Sequence, residues 1–362
     1  MLSFIDFPSF IKPEVFGFLN LPQNHFLNIF RWYGMMYIVA LSVAYFQINY
    51  LLKKEKFITV NKKNFDDFFF WAVVGLVVGA RFFSCLIYDT FYYLQHPIEI
   101  FFPFREGKFI GFQGMSFHGG AIGVFTAAVI YTTLNKVDFR ELCDLCFPSI
   151  PLGYTFGRLG NFINQELYGR VTSSPIGFLF PGAEKLPVNI PDVQRVMSKL
   201  GWRVSDGSVI DNSGNVISNL LDNITINGID SLVINLPRHP SQLYEAFFEG
   251  VVLFFIMWFI GRRIKIFPGF RGSLYLASYA LFRFFIEFFR QPDYQFANYS
   301  QGKYVGSIAA GLSMGQILCI LMFLCAIALG IFFYKAPKTQ SINDNGSKKS
   351  KKASKDIKSR NR

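Results

Sequence analysis

Long apolar blocks separated by polar, often basic, connectors organise this sequence. Seven blocks stand out, at roughly 28–51, 68–88, 118–135, 142–162, 243–261, 272–289 and 306–333. A helix needs about 20 apolar residues to cross the hydrocarbon core of a bilayer. Hydrocarbon offers no partner to an unpaired backbone N–H or C=O, so each block is predicted to be helical. A membrane β-barrel requires alternating segments of about ten residues, a pattern this sequence does not follow. The expected fold is an all-α polytopic membrane protein with about seven transmembrane helices and a small mixed periplasmic head domain. Its expected divisions are an outer arm at 1–27, helices one to four within 28–162, a head segment at 163–242, helices five to seven within 243–333 and a basic tail at 334–362. In the head, Asp206-Gly207, Ser213-Gly214 and Asn227-Gly228 punctuate short β-rich runs, which predicts small hairpins.

Composition supports the membrane reading. The chain has 362 residues, 51% hydrophobic and only 17% charged, with 45 Phe. Soluble domains carry about 25% charged residues. Basic residues cluster between blocks one and two (Lys53, Lys54, Lys56, Lys62, Lys63), three and four (Lys136, Arg140), and five and six (Arg262, Arg263, Lys265, Arg271), and again in the tail. All four clusters fall on one side, which the positive-inside rule makes cytoplasmic. The N-terminus and the head then lie outside. Residues 1–27 lack a basic start and a small-residue cleavage site, so block one is expected to act as an uncleaved signal. The Ser/Lys-rich tail supplies most of the net charge of +12 and reads as disordered. Attraction to anionic headgroups, at about 1 kcal/mol per basic residue, is the expected use of that charge, and no nucleic-acid partner is expected. Cys143 and Cys146 form a CxxC without a second ligand pair, so no metal site is expected. No P-loop or HExxH pattern is found.

Polar residues inside apolar blocks carry the chemistry. Gly157–Gly169 reads GRLGNFINQELYG and places Arg158, Asn161, Asn164, Gln165 and Glu166 at the outer end of block four. A central Arg costs roughly 2.5–3.5 kcal/mol even on a lenient insertion scale, so such groups survive facing a protein-lined cavity that binds something polar. Arginine at the head of the cluster points to an anion. In block six, Tyr279, Arg283, Glu287 and Arg290 recur along one helical face, and Glu287 can orient the Arg283 guanidinium. His118, inside Met115–Gly120 (MSFHGG), sits at similar depth, and an ordinary imidazole pKa of about 6.5 suits a proton acceptor. Arg31-Trp32-Tyr33-Gly34 and Arg238–Glu245 (RHPSQLYE) open blocks one and five, with Glu249 one turn beyond Glu245. Arg81 in block two reads as a packing or pairing cation. A transporter would spread its polar residues through several depths and show broken helices or repeats, neither of which is found here.

At these residues the chain resembles the prolipoprotein diacylglyceryl transferase family. The family pattern G-R-x-x-N-F-x-N-x-E-x-x-G is met by Gly157, Arg158, Asn161, Phe162, Asn164, Glu166 and Gly169, and RWYG, MSFHGG, RHPSQLYE and Glu287–Asp293 follow the same order. The resemblance implies a bacterial inner-membrane transferase without cofactor or metal. Its substrates would be phosphatidylglycerol and prolipoprotein signal peptides bearing a lipobox cysteine, its products a thioether-linked lipid and glycerol-1-phosphate. Arg158 and Arg283 are then the expected phosphate ligands, with Asn161, Glu166 and Glu287 orienting the arginines and headgroup. His118 is the expected base toward the thiol, with Tyr33 or Tyr279 as alternatives or assistants.

Overall fold

A computed structural model describes residues 4–20, 22, 27, 30–88, 90–102, 104–105, 108–109, 114–205, 207–217, 220–226, 229–264, 266–291 and 311–337. The basic tail beyond 337, most of the outer loop expected at about 290–305, and the Asn227-Gly228 turn lie outside those residues. The helices are α1 (Trp32–Lys54), α2 (Lys62–Tyr88), α3 (Thr90–Gln95), α4 (Phe117–Asn135), α5 (Phe139–Cys146), α6 (Ile150–Ile163), α7 (Pro191–Leu200), α8 (Ser241–Gly261), α9 (Phe270–Ile286) and α10 (Met314–Lys335).

Among the described residues, five helices, α1, α2, α4, α8 and α10, are long and apolar enough to cross a membrane. The protein is therefore a helix-rich, multi-pass membrane protein with a small sheet-containing region. The other two expected spans, at 142–162 and 272–289, form helices of 14 and 17 residues in α6 and α9. Their polar residues lower the hydropathy. In the first case Pro148 and Pro151 also divide the segment, so that α5 gives way to a 3-10 turn, Phe147–Ser149, before α6 begins. These two shortened helices carry Arg158 and Arg283.

The chain packs as two compact units. One takes in residues through Ala44, with 147–264 and 273–331, and the other holds 45–146, 265–272 and the residues from Phe332 onward. In the second unit α2 and α4 pack through glycines. A Cβ at Gly123 would overlap the Gly75 carbonyl oxygen, and one at Gly119 would meet that of Gly79 at 2.5 Å. Small residues let backbones approach where apolar driving force between helices is weak. The glycines after His118 thus serve helix contact. Arg81, 3% exposed, donates to the Ile100 and Glu99 carbonyls at 2.7 and 3.1 Å, as a packing cation does. At the opposite end of this unit the buried Glu141 carboxylate accepts from the Ile58 and Thr59 amides, and Asp144 accepts from those of Gly269 and Arg271.

In the first unit, the 163–242 stretch builds the sheet region. Strands Arg203–Ser205, Ser208–Ile210 and Val216–Ile217 form a meander, and strand Leu221–Ile226 pairs antiparallel with strand Ile229–Ile234. The hairpins expected from the turn signals are present. α7 begins at Pro191, where a missing N–H costs nothing, and ends at Gly201 with φ 72°. Its Val193 and Met197, one turn apart, bury against Trp202, Leu186 and Ile234. The N-terminal arm is sewn to this region, for strand Ile5–Asp6 pairs parallel with strand Phe178–Leu179 and Phe7 packs on Phe162 and Phe180.

Candidate active site

α6 and α8 meet closely in the first unit. A Cβ at Gly250 would overlap the Thr155 hydroxyl, so glycine there brings the two helices together. On α6, Tyr154, Arg158 and Asn161 share a face by spacing of four and three. Arg158 Nε donates to the Tyr154 hydroxyl at 2.7 Å and its Nη1 to Asn161 Oδ1 at 3.4 Å, while Asn161 Nδ2 donates to Glu166 Oε1 at 2.8 Å. The guanidinium also lies over the Tyr154 ring, 4.7 Å from its centroid. Among the described residues, Arg158 Nη2 has no partner.

Glu245 of α8, fully buried, joins this face to α9. Its Oε2 lies 2.8 Å from Arg158 Nε, and its Oε1 accepts from Arg283 Nη1 at 2.8 Å. The Arg158 N–H is aimed at Tyr154, so its approach to Oε2 is an electrostatic contact without an aligned hydrogen bond. Arg283 Nη2 donates to Glu287 Oε2 at 3.1 Å, the i,i+4 pairing expected from sequence. Arg290 Nε stands 4.0 Å from Glu245. Two guanidinium groups from separate helices therefore converge, and a carboxylate holds them together.

Other supports were not evident beforehand. The opening of α10 reads Ser313-Met314-Gly315-Gln316. Ser313 N donates to Gln316 Oε1 and Gln316 N to Ser313 Oγ, a reciprocal cap, while Ser313 Oγ donates to Glu287 Oε1 at 3.2 Å. A Cβ at Gly315 would overlap that Glu287 carboxylate, so this position admits glycine alone without rearrangement. The S-x-x-Q spacing ahead of an apolar run was the available signal. Tyr154, at i−4 from Arg158, was equally legible.

Past α6 the chain turns sharply, with Gln165 and Leu167 both at φ 56°. Non-glycine residues adopt that region at a cost and persist there when neighbours over-determine them. Gln165 Oε1 accepts from Gly182 N, Gln242 Nε2 donates to Glu166 O and Ser241 Oγ donates to Leu167 O. The RHPSQ stretch is thereby seen to clamp the chain that follows α6. Arg238, fully buried, stacks over Tyr168 at 4.6 Å and bonds Gln291 and the Glu184 carbonyl. Half-buried His239 has its imidazole pKa pushed below the ordinary value, by burial first and then by Arg170.

The remaining expected residues fall as follows. The Tyr33 hydroxyl lies 3.0 Å from that of Tyr37, and its ring edge packs at Gly160 of α6. Tyr279 meets Tyr154 edge-on, with centroids 5.9 Å apart, and stacks with Tyr275. His118 belongs to the other unit, exposed on the first turn of α4 beside Phe117. Ser116 caps that turn by accepting from Gly119 N.

Residues 25–332 match the family model for prolipoprotein diacylglyceryl transferase. The chain belongs to that family. Among similar proteins is the phosphatidylglycerol–prolipoprotein diacylglyceryl transferase of Treponema denticola, 41% identical over 93% of this chain and 97% of that one. The proteins of the same name from Treponema pallidum and Chlorobaculum tepidum are 39% and 38% identical, over 93% and 92% of this chain and 96% and 93% of theirs. Family membership extends across both shortened helices and all the polar groups gathered on Glu245.

Proposed function

We propose that this protein transfers the diacylglyceryl group of phosphatidylglycerol to the cysteine thiol of a prolipoprotein, the first step of lipoprotein maturation. Support comes from the family and from relatives named for that reaction. The structural observation that carries it is the convergence of Arg158 and Arg283 on one carboxylate. Each guanidinium is oriented before substrate arrives, which is the preorganisation that charge stabilisation requires.

In the reaction the thiol sulfur bonds to the terminal glyceryl carbon of the diacylglyceryl group, and that carbon's bond to the phosphate oxygen breaks. Glycerol-1-phosphate leaves with the electron pair, and the thiol proton passes to a base. Charge on the leaving phosphate grows as the bond breaks, so arginines that bind it favour the transition state over the ground state. Arg158 and Arg283 are assigned that role, with Asn161, Glu166 and Glu287 holding the arginines and headgroup. A thiol of pKa about 8.5 is only a few per cent ionised at pH 7, and His118 is assigned as base, with Tyr33 or Tyr279 as alternatives. Two lipid-anchored substrates brought together in one cavity gain further from proximity.

The same reading has α6 and α9 completing seven crossings of the bacterial inner membrane. The sheet region and the N-terminus then face the periplasm and the basic connectors and tail the cytoplasm, beside anionic lipid. The second substrate is taken to be a signal peptide with a lipobox cysteine. Incubation of the purified protein with phosphatidylglycerol and a lipobox peptide tests the function. A peptide mass gain of one diacylglyceryl group, with stoichiometric glycerol-1-phosphate, is expected, and an unmodified peptide rejects the assignment.

A further inference from the structure

Three arginines and three carboxylates face one another before any lipid binds. Arg158, Arg283 and Arg290 meet Glu245, Glu249 and Glu287 through contacts of 2.8 to 4.0 Å. A phosphodiester that binds these arginines brings one more negative charge into a site where Glu245 and Glu249 are both fully buried. Closely spaced like charges in a poorly solvated site do not all stay ionised, and one group takes a proton.

Glu249 is the weakest held of the three carboxylates. Glu245 has two arginine contacts at 2.8 Å, and Glu287 has Arg283 at 3.1 Å and the Ser313 hydroxyl at 3.2 Å. Glu249 has its closest ion pair at 3.8 Å, and its Oε1 accepts no hydrogen bond. Its Oε2 accepts from the Tyr154 hydroxyl. The groups that face it are Tyr154 and Arg158 from α6, Tyr275, Tyr279 and Arg283 from α9, Cys319 from α10 and Glu245 on its own helix. Both cations in that set are already engaged by Glu245. Glu249 also lies in a widened π turn, Ala246–Val252, a departure from α geometry that recurs at functional sites.

We propose that Glu249 is a positioning residue that takes up one proton from solvent when the Arg158–Arg283 pair binds a lipid phosphodiester. The step moves one proton onto a Glu249 carboxylate oxygen and makes or breaks no bond of the lipid. The Tyr154 oxygen, which accepts from Arg158 Nε and donates to Glu249, couples the phosphate-binding cation to the carboxylate. This rests on the assignment of Arg158 and Arg283 as phosphate ligands.

Calorimetric titration of the purified protein with micellar phosphatidylglycerol, in two buffers of different ionisation enthalpy, counts the protons. The wild type is expected to take up about one proton per lipid near neutral pH, with affinity falling up to tenfold per unit as pH rises beyond it. Glu249→Gln, which has the shape of the neutral acid, is expected to bind without uptake and with a flat pH dependence, and Glu249→Asp to restore uptake. Difference infrared spectra of the wild type need no variant to fold. Lipid addition is expected to raise a protonated carboxylic C=O band. Tight lipid binding without uptake or without that band overturns the proposal, as does unchanged uptake in Glu249→Gln. Binding that Arg158→Lys leaves unweakened overturns the phosphate-ligand assignment itself, and this proposal with it.

Discussion

Glu245 Oε2 lies 2.8 Å from Arg158 Nε, and the same carboxylate gives its other oxygen to Arg283. Removing one partner of a buried ion pair leaves an uncompensated charge and costs about 3–5 kcal/mol. Glu245→Gln is therefore expected to lower both thermal stability in detergent and turnover. A variant with wild-type melting and activity would show that the carboxylate is not what holds the arginines.

Arg158 uses the geometry of its fork, with Nε on Tyr154 and Nη1 on Asn161. A lysine ammonium is a point charge and does not reproduce those directions. Arg158→Lys should cut kcat on the order of 10²–10³-fold, the loss typical of a missing transition-state donor. Steady-state transfer kinetics check this, and near-normal kcat removes the clamp role.

His118→Asn keeps the polar bulk and discards basicity. If His118 takes the thiol proton, transfer should fall about 10²–10⁴-fold, and the acid limb of the pH–rate profile should disappear. Efficient transfer with an unshifted profile moves the base to Tyr33 or Tyr279, whose phenylalanine variants then discriminate.

Gly315 has no room for a side chain against Glu287. Gly315→Ala is expected to displace that carboxylate from Arg283 and lower kcat/KM at least tenfold, about 1.4 kcal/mol of transition-state stabilisation. Ser313→Ala should cost about 0.5–2 kcal/mol through the lost helix cap, read by thermal unfolding. Wild-type kinetics in Gly315→Ala would separate the start of α10 from the site.

In the second unit, Gly123→Ala should destabilise the α2–α4 contact by about 1–3 kcal/mol, the usual cost of overpacking. Limited proteolysis of the detergent-solubilised protein measures it. Unchanged protease resistance would mean that the helices tolerate separation.

Local pairings were legible in the sequence and distant ones were not. Arg158 with Asn161, and Arg283 with Glu287, follow from helical spacing and were expected as found. Glu245 stood out as a charge in an apolar block, but no periodicity names a partner 87 residues upstream or 38 downstream. The head hairpins followed from their turn residues, while the attachment of Ile5–Asp6 to Phe178–Leu179 is a tertiary pairing with no local signature. Hydropathy marked seven blocks, yet α6 and α9 run only 14 and 17 residues, with Pro148 and Pro151 marking the break ahead of α6. The helices that carry Arg158 and Arg283 are the ones that the simplest length rule passes over.

The most direct measurement is a structure of the protein with phosphatidylglycerol bound. The lipid phosphate is expected within about 3 Å of guanidinium N–H groups from both Arg158 and Arg283, with Glu245 still between the two helices. A phosphate seated away from both arginines, in a protein active under the same conditions, would contradict the account.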